Sequence, residues 1–211
     1  MPFSLQKIAT LNTQLRDSSP GDIIAWACEQ KLKTVCTTNF GPHEAAVLQL
    51  VSQHGKNTPI ICVDHGYNTK TTYQIAEELT QRFQLNVDYF TPKITSARRQ
   101  AVLGGFPDLD DEVAHKQFTQ EVKLEPFARA FAQYKPDIWI TGIRKDQTEH
   151  RANLDILSLD NQHQCLKVAP FFHWGKEKVE NYMREHDLPI VVDYFDPTKV
   201  LDNRECGLQL G

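Results

Sequence analysis

The sequence contains no Cys-Cys and no Cys-x-x-Cys pair; its five cysteines stand far apart, at positions 28, 36, 62, 165 and 206. An odd, widely spaced set makes neither a disulfide framework nor the ligand spacing of a zinc ribbon or a cysteine-held iron–sulfur cluster. The eight histidines lack close helical metal spacing as well, and His43, His65, His150 and His173 read as solvated or hydrogen-bonded side chains. No stretch nears the roughly 18 apolar residues of a membrane span. The opening Met1-Pro2-Phe3-Ser4-Leu5-Gln6-Lys7 lacks the basic and apolar regions of a signal peptide, so a cytoplasmic location away from membranes is expected. Positive charge is also scarce: 23 Lys and Arg against 27 Asp and Glu give −4. Without a global basic field nucleic acid is not an expected partner, and any anion must be held by a local cluster.

What is present is a pattern of short apolar runs alternating with helical periodicity. Two amphipathic stretches, Phe3 to Leu15 and Asp22 to Leu32, flank the Ser18-Ser19-Pro20-Gly21 breaker and read as peripheral helices. Thr34-Val35-Cys36-Thr37-Thr38 then reads as a strand, Asn39 to Pro42 as a tight loop, and Ala45 to Val51 as a helix. Pro59 to Val63, Thr69 to Phe83 and Val87 to Phe90 repeat strand, helix, strand. Gly104 to Glu112 reads as a loop, Thr119 to Tyr134 as a helix and Asp137 to Thr141 as a strand. Apolar strands alternating with helices predict an α/β fold: a mostly parallel twisted sheet with helices on both faces. Ligands of such sheets bind at the carboxyl ends of the strands.

Two of those ends carry chemistry. The loop Thr37-Thr38-Asn39-Phe40-Gly41-Pro42 offers hydroxyls, backbone N–H groups and a helix N-terminus, with Pro42 suited to the first helical position. Those are parts of a phosphate site, and equally of an ordinary capped helix start. The loop Gly142 to Asn153 gathers Arg144, Lys145 and Arg151 in an acidic protein. Guanidinium forks match phosphate or sulfate oxygens, although Asp146 and Glu149 could instead pair with these cations. Arg98-Arg99 reads as a solvated helix face. The tail Arg204-Glu205-Cys206-Gly207-Leu208-Gln209-Leu210-Gly211 sets a thiol between a carboxylate and a glycine, not in the apolar setting usual for a structural cysteine.

Together these stretches resemble the phosphoadenylyl-sulfate (PAPS) reductases, a branch of the adenine-nucleotide α-hydrolase-like fold. The resemblance rests on Thr37 to Gly41, on Asp64-His65-Gly66-Tyr67 with Thr72-Tyr73, on Gly142 to Leu154, and on Glu205-Cys206-Gly207-Leu208. It implies a helical extension at residues 1–33, a nucleotide-binding α/β domain at 34–190 and a tail at 191–211 carrying the catalytic cysteine. Cys206 would attack the sulfur of PAPS to leave an S-sulfocysteine, which reduced thioredoxin or glutaredoxin would resolve, with no bound cofactor or metal. Thr37, Thr38, Asn39, Phe40, Gly41, Asp64, Gly66, Gly142, Arg144, Lys145, Gln147 and Arg151 would bind substrate. A homodimer is a further implication. Lack of a Cys-Cys plus Cys-x-x-Cys signature matches the branch without an iron–sulfur cluster.

Three departures from the family pattern stand out. The segment Asp187 to Asn203 is short and lacks a Gly-Tyr-x-Ser-x-Gly-Asp stretch, Gln209 stands where a histidine is usual, and Glu44 replaces a small hydroxyl residue. A carboxylate there suits the helix dipole but repels phosphate, so Glu44→Ser is expected to tighten nucleotide binding. The alternatives are a divergent sulfonucleotide-binding protein and a nucleotidyltransferase of the FAD synthetase type. The latter expects an aspartate where this chain has His43.

Overall fold

The computed structural model describes residues 3–108 and 110–199. The chain begins with α1 (Leu5–Leu15) and α2 (Pro20–Glu29), followed by β1 (Thr34–Thr38), α3 (Glu44–His54), β2 (Ile60–Val63), α4 (Lys70–Phe83) and β3 (Val87–Phe90). Then come α5 (Ser96–Leu103), α6 (Glu112–Thr119), a π turn (Gln120–Leu124), α7 (Glu125–Tyr134) and β4 (Ile138–Ile140). The one-turn α8 (Glu149–Ala152), the hairpin β5 (Leu157–Asp160) and β6 (Cys165–Val168), α9 (Lys176–Glu185) and a closing 3₁₀ turn (Pro197–Lys199) complete it.

The strands form one sheet in the order β3-β2-β1-β4-β6-β5, parallel except for the β5–β6 pair. Alternation along each strand sends Cys36, Ile60, Cys62, Ile138 and Ile140 into one core, and Val35, Ile61 and Trp139 into another. The first core is closed by α2, α3 and α9. The second is closed by α7, whose Phe127 and Phe131 pack against Trp139 with ring centroids 5.3 and 5.1 Å away. Both faces are therefore covered, as the apolar strands required. Burying each such aromatic contributes roughly 1.5–3 kcal/mol.

Several local expectations change. Helix α2 is not peripheral: Ile23, Ile24 and Ala27 are buried in the main core, and only its other face meets solvent. Pro42 lies in a turn, and α3 starts two residues later, at Glu44. The expected helix from Thr119 to Tyr134 is instead the end of a longer one that starts at Glu112 and crosses the π turn. Pro126 has no N–H to give an i−4 carbonyl, and just before it Glu125 N–H donates to Gln120 O, an i−5 bond. Arg99 is buried, not solvated; it pairs with Glu121 and lies over the Phe118 ring. The β5–β6 hairpin was not read from sequence.

Candidate active site

Strand β1 is paired on one side with β2 and on the other with β4. The chain leaves β1 for β2 and later returns on the opposite side to build β4, so the connections after these two strands diverge and open a crevice. Lining it are Thr37 and Thr38 at the end of β1, Asn39 and Gly41 after it, and Thr141, Gly142, Arg144, Gln147 and Arg151 after β4. Its walls include Glu44, His65, Lys123, Tyr194 and Lys199.

The first loop is held by its own side chains. Phe40 adopts φ 50°, a left-handed conformation that costs a non-glycine residue roughly 1–2 kcal/mol. The bend is fixed by Phe40 N–H donating to Thr38 Oγ1 (3.0 Å) and Gly41 N–H donating to Asn39 Oδ1 (3.1 Å). Two N–H groups expected to face an anion are therefore already used. The hydroxyls compensate: Thr37 Oγ1 accepts from Trp139 Nε1 at 2.8 Å, which leaves its own hydrogen to donate. His43 gives α3 no side-chain cap, so the first turn of that helix keeps its partial positive charge at the cleft.

The second loop is a clamp built around Gln147. Its Oε1 accepts from Arg144 N–H at 2.9 Å and from Arg151 Nη1. Arg144 also reaches Asp146 Oδ1 with Nε (3.1 Å) and His43 Nδ1 with Nη1 (3.2 Å). A guanidinium can only donate, so His43 accepts on Nδ1 and carries its proton on Nε2, 3.2 Å from Glu180. That neutral form agrees with burial lowering the His43 pKa, helped by the Arg144 charge against the opposing pull of Glu180. Arg144 and Arg151 are both buried, 5% and 8% exposed, and cations so enclosed belong to the site and not to solvent. The ion pair between Arg144 and Asp146 is present as the bland reading allowed, without removing Arg144 from the cleft.

Four expected residues do not line the crevice. Lys145 is exposed. Phe40 turns its ring into the core and contributes only its backbone bend. Asp64 is committed to its own turn, where Oδ1 accepts from Gly66 N–H at 2.9 Å and from the Tyr73 hydroxyl at 2.8 Å. Gly66 serves that turn with φ 80°, which a side chain would strain. Cys206 and Gln209, with the rest of residues 200–211, lie outside the described residues.

Other residues of the site were not anticipated. The π turn directs Lys123 into the wall, where its ammonium binds the Asp196 carboxylate and lies 3.2 Å from Thr198 Oγ1. His65 Nε2 is 4.0 Å from Asp196 Oδ1. Burial opposes ionisation of Asp196, but Lys123 and the Thr198 hydroxyl hold it well below the usual carboxylate range. Asn39 Nδ2 donates to Tyr194 Oη at 2.7 Å, so residues 194–198 are tied to the first loop and to the π turn together. The sequence signal was Pro126 inside a helical pattern. Glu44 is half-buried, with Oε2 shut off from solvent: burial pushes its carboxyl upward, against a hydrogen bond from Thr38 and the charges of Lys199, Arg151 and Arg144.

Residues 33–196 match the family model of the phosphoadenosine phosphosulfate reductase domain. The phosphoadenosine 5′-phosphosulfate reductase of Synechocystis sp. is 36% identical over 192 residues, covering 90% of this chain and 76% of that protein. Its counterpart in Synechococcus sp. is 33% identical over 190 residues, covering 90% and 81%. Among solved structures, a PAPS reductase from Candida auris in a phosphate complex superposes with a TM-score of 0.78, at 23% identity and over 90% of both chains. An FMN adenylyltransferase from Candida glabrata with ATP gives 0.58 at 15% identity, over 90% of this chain and 60% of that one.

Proposed function

The chain belongs to the phosphoadenosine phosphosulfate reductase family, and from that premise we propose that it reduces PAPS to sulfite and adenosine 3′,5′-bisphosphate with reduced thioredoxin or glutaredoxin as donor. The observation that carries this reading is the convergence of the Thr37–Gly41 loop and the Arg144–Gln147–Arg151 clamp on one crevice. Two buried guanidiniums and a helix N-terminus there suit a ligand with several anionic groups, and they stabilise charge gathering on a departing phosphate.

The nucleophile is Cys206. The other thiols support that assignment: burial raises Cys36 and Cys62 well above the ordinary thiol pKa and pushes Cys165 up to about 12. Cys28 is raised too, by burial. Only a thiolate attacks sulfur at a useful rate. The Cys206 thiolate bonds to the sulfonyl sulfur, the S–O bond breaks, and adenosine 3′,5′-bisphosphate leaves with the electron pair. One donor thiol then attacks Cys206 Sγ, sulfite departs with its pair, and the second donor thiol closes the donor's disulfide. This chemistry uses no iron–sulfur cluster and no other bound cofactor; the protein works in the cytoplasm, as a homodimer.

Sulfite release from PAPS in the presence of reduced thioredoxin tests the reading, run beside Cys206→Ser and an adenylyl-sulfate control. Sulfite is expected from PAPS with the native protein and none with the variant. PAPS binding without sulfite release by the native protein would reassign the chain as a sulfonucleotide-binding protein.

A further inference from the structure

The anion crevice contains a carboxylate that should not be there. Glu44 opens α3, and its Oε1 lies only 2.9 Å from where a Cβ on Gly142 would stand, so the carboxyl is pressed between the two loops that form the crevice. Its Oε2 is shut off from solvent and has no hydrogen-bond partner among the described residues, an orphaned acceptor in the wall of a cleft lined by donors. Facing it are the Thr38 hydroxyl from β1, the guanidiniums of Arg144 and Arg151, and the Lys199 ammonium from the closing turn. Behind it stand the thiols of Cys36 on β1 and Cys62 on β2, which its charge helps to keep protonated. Its chain neighbour His43 is neutral and engaged with Arg144 and Glu180.

Glu44 thus sits in the field of the same cations that an incoming anion needs. An anion placed beside an enclosed carboxylate raises that carboxylate's proton affinity, because two like charges at short range disfavour joint ionisation. Burial already works in the same direction at this residue. As a carboxylic acid, Glu44 ceases to repel the ligand and gains an O–H that the orphaned position can offer to an anion oxygen.

We propose that Glu44 takes up a proton when an anionic ligand enters the cleft, and that in its neutral form it donates a hydrogen bond to that ligand. This inference rests on the reading of the crevice as the PAPS site, and it makes substrate affinity depend on pH through a residue that performs none of the bond chemistry. Binding is favoured at low pH. Affinity falls by about tenfold per pH unit between the proton affinity of Glu44 in the empty cleft and that in the occupied one, and levels off above the latter.

The test is calorimetric titration of PAPS into the native protein and Glu44→Gln from pH 5 to pH 8, in buffers of different ionisation enthalpy. Subtracting the variant removes protons belonging to the ligand's own phosphate. The native protein is expected to take up as much as one proton more than the variant. It should match the variant's affinity at the acid end and fall tenfold or more below it at the alkaline end. Equal proton uptake with parallel affinity profiles would overturn the role of Glu44 and leave the PAPS site intact. If neither protein binds PAPS, the reading of the crevice itself is wrong and the inference goes with it. Glutamine keeps the size and shape of the side chain, and the native protein's own proton uptake is measurable whether or not the variant folds.

Discussion

Lys145 and Arg151 carry the same charge six positions apart, yet only one faces the crevice. Thr148 caps the single turn of α8 by accepting from Arg151 N–H at 3.3 Å, and that turn swings the Arg151 side chain under Gln147 while Lys145 stays in solvent. Arg151→Ala is expected to raise the KM for PAPS about 10- to 100-fold, the loss of a charge-assisted hydrogen bond of roughly 1.5–3 kcal/mol. Lys145→Ala should stay within about twofold, and steady-state sulfite assays on the pair would separate them. The residue types of the site were legible in the sequence because phosphate chemistry calls for hydroxyls, glycines and arginines in short loops. Which of three neighbouring cations points inward was not, since a one-turn helix decides it. The commitment of Asp64 to its own turn was equally hidden, because the same carboxylate could have faced a ligand.

Strands β1 to β4 and helices α3, α4 and α7 were readable from apolar runs and 3.6-residue periodicity. The β5–β6 hairpin was missed because Leu157–Asp160 and Cys165–Val168 each carry a charge that the fold buries, Asp160 and Lys167. Those charges are buried against one another at 2.9 Å, a pairing that no linear pattern announces. The π turn was missed because its cause, Pro126, acts on hydrogen bonding and leaves the hydrophobic pattern unchanged. Its product is the buried ion pair between Lys123 and Asp196, which ties the segment before the tail to the wall of the cleft. Asp196→Asn takes from the buried Lys123 ammonium the carboxylate charge it binds and is expected to destabilise the protein by about 3 kcal/mol. Because Asp196 is held below its unfolded value, the contribution is complete above about pH 4 and disappears as pH falls further. Thermal melts of native protein and variant should therefore differ by on the order of 10 °C at neutral pH, and the gap should narrow steadily as pH falls below about 4.

At the scale of the molecule, α1 and the sheet depend on each other through one residue. Asn12 Nδ2 donates to Leu157 O at 2.9 Å and its Oδ1 accepts from Leu157 N–H at 2.8 Å, so α1 satisfies backbone groups on β5, the edge strand of the sheet. A bare edge is an invitation to pair with another chain. Asn12→Ala should lower stability by about 2 kcal/mol, read as a fall of on the order of 5 °C in Tm, and light scattering should show the variant forming species larger than a dimer at concentrations where the native protein does not. At the other extreme lies β1, in the middle of the sheet, paired with β2 through Cys36, Thr37 and Thr38 and with β4 through Thr34, Val35 and Cys36. Thr37 and Thr38 ride on the carboxyl end of that strand and stay paired with β2, so the floor of the cleft opens less readily than its loops and its amides are expected to exchange slowly with solvent. Turnover must then be accommodated by the walls, and the floor serves as the fixed point against which incoming substrate and departing product are both measured.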